Sequence, residues 1–166
     1  FRDRYVLGKW CVAEGLVYPM FDKSAHVVTT APEPARCDYY VWCDYGTVNP
    51  TSIGLWALDR YTGVATRLRE YYWDSRTRGA RRTDEEHYTA LLDMVGDLAD
   101  RIQYIIVDQS AASFIECIRR HQQFAVRAAD NRVLDGIRDT ATLLQLGCLR
   151  IHQSCEDTLR EFALYC

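Results

Sequence analysis

Tyr39-Tyr40-Val41-Trp42-Cys43-Asp44-Tyr45-Gly46 and Tyr104-Ile105-Ile106-Val107-Asp108 are the two stretches that decide the fold. Each is a short run of aromatic and β-branched residues, the side chains that suit a pleated, half-buried surface. Each run ends abruptly at an aspartate. The second is apolar without alternation, which is how a strand buried on both faces of a parallel sheet reads. Between the two lie Thr51 to Leu58 and Val64 to Tyr72, joined by the turn formers of Asp59-Arg60-Tyr61-Thr62-Gly63. Three neighbouring strands with tight turns make an antiparallel meander, and the Tyr104 run is a fourth strand.

Outward from this frame the hydrophobic period changes from two to about three and a half. Thr83 and Glu86 have the spacing of a capping box, followed by Tyr88, Leu91, Leu92, Val95, Leu98 and Ala99 on a helix. Beyond Asp108, Ser110 to His121 reads as a helix and Phe124 to Arg127 as a short strand. Val133, Ile137, Thr140, Ala141 and Leu144 mark another helix, stopped by Gly147. Leu149 to Ile151 is a brief strand, and Cys155 onward is helical with Leu159, Phe162 and Ala163 on one face. The order β-β-β-α-β-α-β-α-β-α predicts an α/β domain, with a mixed sheet led by three antiparallel strands and flanked by helices. Residues 1–36 differ, holding three of the four prolines. They are expected to be an entry segment or linker, with the domain itself at 37–166. The missing initiator Met suggests a fragment.

With 166 residues and 48% hydrophobic side chains, one core of ordinary size is expected. No apolar run approaches the ~20 residues of a membrane span, and no signal-peptide core follows the N-terminus. A net charge of −3 disfavours a freestanding basic DNA-binding module. Any nucleic-acid site must be a local patch, and Arg76, Arg78, Arg81 and Arg82 form the densest basic cluster, suited to gripping phosphates. Arg119, Arg120 and His121 close a helix, where cations offset its dipole. None of the seven cysteines forms a Cys-x-x-Cys pair, so reduced thiols are expected. Cys148, His152 and Cys155 match no standard zinc spacing.

Asp44 and Asp108 carry the chemistry by position. Functional groups in open α/β sheets gather beyond the carboxyl ends of the strands. If the first and fourth strands are adjacent and parallel, both carboxylates enter one cleft, where they repel each other unless a proton or a cation intervenes. A divalent ion removes that conflict, and two ions can activate water and stabilise the leaving oxygen of a phosphodiester. Asp130 and Asp135 are further acids, the first placed as a helix cap and the second inside a helix. Asp44-Tyr45-Gly46-Thr47 leaves an alternative open. Such a turn after a first strand also begins actin-like and hexokinase-like ATPases, where it cradles phosphate. RNase H-like nucleases share the same β-β-β-α-β beginning.

Several segments together resemble the terminase large subunits of tailed phages. Leu7 to Asp22 looks like the segment joining their ATPase and nuclease parts. Asp44-Tyr45-Gly46 with Asn49-Pro50 resembles the first nuclease motif, and Ile106-Val107-Asp108-Gln109-Ser110-Ala111-Ala112-Ser113-Phe114 the second. Ala129-Asp130-Asn131 with Val133 to Ile137, and Ile151 to Cys155, match in style. The resemblance implies an RNase H-like endonuclease that cuts concatemeric viral DNA with two Mg²⁺ or Mn²⁺ ions. Asp44 and Asp108 would be metal ligands. A third acid is expected beyond Cys166, with Asp130 and Asp135 as substitutes from within the chain. Implied partners are double-stranded DNA, an ATPase domain in the same polypeptide, the portal protein and the terminase small subunit, in the host cytoplasm. No Gly-x-x-x-x-Gly-Lys-Ser/Thr loop occurs, so these residues are not the motor. A non-catalytic DNA-gripping or docking module of the motor is the alternative within the same family.

Overall fold

A computed structural model describes residues 16–46, 49–130 and 132–164. Its elements are α1 (Lys23–His26), β1 (Val27–Val28), β2 (Cys37–Asp44), β3 (Thr51–Asp59), β4 (Ala65–Trp73), α2 (Ser75–Arg78) and α3 (Asp84–Val95). They continue with β5 (Ile102–Val107), α4 (Ala112–His121), β6 (Val126–Ala128), α5 (Val133–Gln145), β7 (Leu149–His152) and α6 (Glu156–Leu164). The seven strands form one mixed sheet in the order β1-β7-β4-β3-β2-β5-β6. β2, β3 and β4 pair antiparallel, as expected from their tight turns, and β5 lies parallel to β2. The expected mixed α/β sheet is therefore present.

Alternation along β2 sets the two faces. Cys37, Tyr39, Val41 and Cys43 are buried, while Asp38, Tyr40, Trp42 and Asp44 point to the other side. The buried set joins Ile53, Leu55, Ile105 and Val107 beneath α3 and α4, which contribute Tyr88, Leu91, Val95, Phe114, Cys117 and Ile118. The capping box of Thr83 and Glu86 starts α3 as the sequence indicated. A second, smaller core lies on the opposite face, where α5 and α6 bring Leu144, Leu159 and Phe162 against Trp56, Leu149, Ile151 and Cys155. Tyr18, Met20 and Phe21 of the entry segment pack into this second core, and β1 pairs with β7. Residues 1–15, most of the segment compared above with the interdomain connection, lie outside the described residues.

Gly54 on β3 is a packing requirement. A Cβ there would stand 2.3 Å from Nη1 of Arg67, whose guanidinium crosses β3 and donates to Ser52 Oγ at 3.0 Å. Arg67 is 8% exposed, so it has little room to retreat. Gly54→Ala is expected to cost about 1–3 kcal/mol by overpacking. Urea unfolding would show this as a lower midpoint at unchanged slope.

Candidate active site

The parallel register pairs Cys43 with Val107, the last residues of β2 and β5 to match. Asp44 and Asp108 follow them directly, so the two carboxylates leave neighbouring strands at the same level. The antiparallel pairings extend this row: Asp44 faces Ser52, and Ser52 faces Tyr72. Residues directly opposite share a face of the sheet. Asp44, Ser52 and Tyr72 therefore stand side by side, with Asp108 continuing the line beyond Asp44. Trp42, one step below Asp44 on this face, packs against Trp56 with ring centroids 4.9 Å apart.

The row ends in a third acid. Tyr72 donates its hydroxyl to Glu161 Oε1 at 2.9 Å. Glu161 sits on α6, which Glu70 anchors to β4. The Glu70 carboxylate accepts from Asp157 N at 2.8 Å, Thr158 N at 3.1 Å and Thr158 Oγ1 at 2.6 Å. The two backbone N–H groups are among the otherwise unsatisfied donors of a helix N-terminus. Asp44 is exposed, yet partial desolvation by its surroundings, then the charges of Asp108 and Glu161, push its carboxyl above its ordinary value. All three causes penalise the charged form, and such an acid relaxes only on gaining a proton or a cation. Glu161 was not singled out in the sequence. It sits among the apolar positions of an ordinary amphipathic helix, and no local pattern sets it apart.

Loop and helix starts hold the aspartates in place. Asp108 Oδ1 accepts from Ser110 N at 2.7 Å, forming the turn that leads into α4. Tyr45 stacks on Phe114 with centroids 4.5 Å apart and donates its hydroxyl to Asp84. Gly46 is pressed against the returning chain, since a Cβ there would lie 2.2 Å from the Asn49 carbonyl oxygen. Thr47, part of the phosphate-cradling alternative, lies outside the described residues. Asp130 and Asp135 both engage Arg132 at the surface, at 2.7 Å and 3.1 Å. Neither is among the charges acting on Asp44. Asp130 accepts from Arg132 N rather than capping α5, whose N-cap is Arg132.

The arginine cluster flanks the same edge, and its members differ. Arg82 lies over Trp73, 3.8 Å from the ring centroid, and donates to Tyr71. Arg78 covers the same Trp73 ring at 5.3 Å. Arg76 reaches Asn49 at 3.5 Å. Arg81 lines a cavity of about 390 Å³ with Tyr45, Trp73, Arg82 and Ser113. His87, buried beside it, has its pKa lowered by burial and then by Arg82. Cys148, His152 and Cys155 do not converge: His152 bonds Ser154 and Thr29, and the buried Cys155 thiol points to the Arg67 carbonyl. No helix among the described residues is long and apolar enough to cross a membrane.

A mixed sheet with acids at the carboxyl ends of a parallel pair, entered through an antiparallel meander, defines an RNase H-like domain. Solved structures extend this likeness to one family. The large terminase of one thermophilic bacteriophage matches at 43% identity and a TM-score of 0.82, over 98% of this chain and 40% of its own. The nuclease domain of the P22 large terminase matches at 15% identity and TM-score 0.74, over 93% of this chain and 81% of its own. The large terminase nuclease of a second thermophilic phage, G20c, with bound magnesium, matches at 13% identity and TM-score 0.60, over 91% and 80%. The last two likenesses are of fold alone. The chain is thus related to bacteriophage large terminases and has the fold of their nuclease domain. It spans about two fifths of the terminase that it matches at 43% identity. No family model matches it, and no curated protein does.

Proposed function

We propose that this chain is a metal-dependent endonuclease domain that cuts concatemeric viral DNA during genome packaging. The observation that carries this is the placement of Asp44 and Asp108 at the ends of paired parallel strands, with Glu161 bonded to Tyr72 on the same row, and both Asp108 and Glu161 disfavouring charge on Asp44. An all-oxygen donor set of this kind suits Mg²⁺ or Mn²⁺, in our reading as two ions. Asp44 and Asp108 hold them, and Glu161, steadied by Tyr72, is the third acid in place of one beyond Cys166. When bound, such ions lower the pKa of water and offset charge developing on the phosphodiester oxygens.

The protein's own groups position the rest. The Tyr45–Phe114 stack and the Asp108 turn fix the carboxylates against rotation. Trp42 and Trp56 form an apolar floor below Asp44. Arg81 meets the sugar-phosphate backbone, and Arg82 and Arg78 stiffen the Trp73 wall beside it. Double-stranded DNA is the substrate. An ATPase domain of the same polypeptide, the portal protein and the small subunit are the partners this reading assigns.

Nicking of supercoiled plasmid in Mn²⁺ tests the proposal. We expect nicked and linear products in Mn²⁺ and none in chelator. Intact plasmid in Mn²⁺ with folded protein would leave a gripping module without catalysis. For the DNA surface, Arg81→Ala is expected to weaken DNA binding without regard to sequence. It should reduce the slope of log affinity against log salt by about one. An unchanged salt slope would remove Arg81 from the interface.

A further inference from the structure

Glu85, Cys117 and His121 bring a carboxylate, a thiol and an imidazole to within 4.8 Å of one another. Among the described residues this is the one cluster of three or more such groups so closely spaced. It lies between α3 and α4 and shares no residue with the row from Asp108 to Tyr72. Cys117 and His121 are four positions apart on α4, so they stack on one helix face. Glu85, in the first turn of α3, faces them. The Cys117 thiol is fully buried and forms the floor, while Glu85 and His121 are exposed at the rim.

The rim is already oriented. His121 stacks on Tyr88 with ring centroids 4.0 Å apart and planes 7° from parallel. Its Nε2 stands 2.7 Å from Glu85 Oε2, and Arg120 Nη2 holds the other oxygen at 3.1 Å.

We propose that Glu85, Cys117 and His121 form a second divalent-cation site, for a borderline-soft ion of the zinc class. The donor set selects the ion. A thiolate and an imidazole suit zinc, whereas Mg²⁺ and Ca²⁺ prefer oxygen alone. Three protein ligands leave a fourth, tetrahedral position for water. Bond lengths of about 2.0–2.3 Å to zinc put ligand atoms more than ~3 Å apart. The His121–Glu85 contact must therefore open by a fraction of an ångström, which two exposed side chains allow. Charge and protons balance: Cys117 releases its S–H proton to solvent, and one thiolate and one carboxylate neutralise the dication. Burial, then the hydrogen bond and charge of Glu85, hold the Cys117 thiol protonated until an ion arrives. Arg120 stays on the second carboxylate oxygen as an outer partner. The bound ion would clip α3 to α4, the helix that begins four residues after Asp108. The site does not depend on the nuclease reading.

The test uses the Asp44→Asn/Asp108→Asn double variant, so that the other acids do not compete for the probe. Co²⁺ is titrated and followed by absorption. A one-to-one complex is expected, with a thiolate-to-cobalt charge-transfer band and tetrahedral visible bands. Zn²⁺ should bleach both and Mg²⁺ neither. Cys117→Ser should remove the charge-transfer band. Glu85→Gln and His121→Gln, which are surface changes that spare the core, should each weaken Co²⁺ binding about tenfold or more. A titration without the charge-transfer band overturns the site. So does a band that survives Cys117→Ser, or an affinity unmoved by both surface changes.

Discussion

Asp44→Asn is expected to lower Mn²⁺-dependent plasmid cutting by roughly a thousandfold or more, the scale of losing a group that stabilises developing charge. The fold should not suffer. Partial desolvation and the charges of Asp108 and Glu161 raise the folded-state pKa of Asp44. A raised pKa means the folded protein holds this proton more tightly than the unfolded chain does. Its stabilising contribution is complete below the unfolded value of about 3.9 and is lost as pH rises through the folded pKa. At neutral pH without metal, the ionised Asp44 therefore works against folding. Because Asp44 is exposed and solvent screens these charges, the asparagine variant should melt only slightly higher there, and the gain should vanish in acid below about pH 3.9. Mn²⁺ should raise the melting temperature of the parent protein and not that of the variant. The same shift fixes the direction of the activity profile. Cutting should fall in acid, because a protonated Asp44 holds no ion, and the fall should move to lower pH as Mn²⁺ is raised, because the ion competes with the proton. A variant that melts lower at neutral pH, or that still cuts, would remove Asp44 from the proposed centre.

Glu70→Ala is expected to cost about 3–5 kcal/mol, the largest effect on stability that we anticipate. The Glu70 side chain is 7% exposed and lies 3.8 Å from Arg67 Nε, itself on a side chain 10% exposed. Truncation leaves the Arg67 guanidinium buried without its carboxylate, and it frees three donors at the start of α6. Glu70→Gln keeps an acceptor for those donors and should cost less. The functional consequence runs through Glu161, one turn further along α6. Glu161→Gln should reduce cutting without a comparable loss of stability. Glu70→Ala should reduce both together, as read by urea unfolding and plasmid nicking on the same samples. Full cutting by folded Glu70→Ala protein would show that α6 does not position Glu161.

Much of this was legible from local sequence, for identifiable reasons. The strand that ends at Asp44 and the one that ends at Asp108 are marked by composition, and their aspartates by an abrupt change of polarity. Thr83 and Glu86 announce the start of α3 because a capping box closes within four residues. The arginine run was visible as charge. Its division of labour was not, since stacking of Arg78 and Arg82 on Trp73 depends on where β4 ends. Asp130, placed as a helix cap, and Asp135, inside a helix, are only substitute acids in the sequence. The structure pairs them with Arg132 at the surface, and neither is among the charges that act on Asp44.

What the sequence determined by itself is what nearest neighbours along the chain control: strands, caps, turns, and the two aspartates placed at strand ends. What only the tertiary structure decided is which distant groups meet. Glu161 reaches the Asp44 row because α6 is docked on β4 by Glu70, 87 and 88 positions from its partners. Glu85 meets Cys117 and His121 because α3 and α4 cover the same face of the sheet. Contacts at such separations depend on strand order and on the face each helix covers. Hydrophobic periodicity records that a face is buried, but not what buries it.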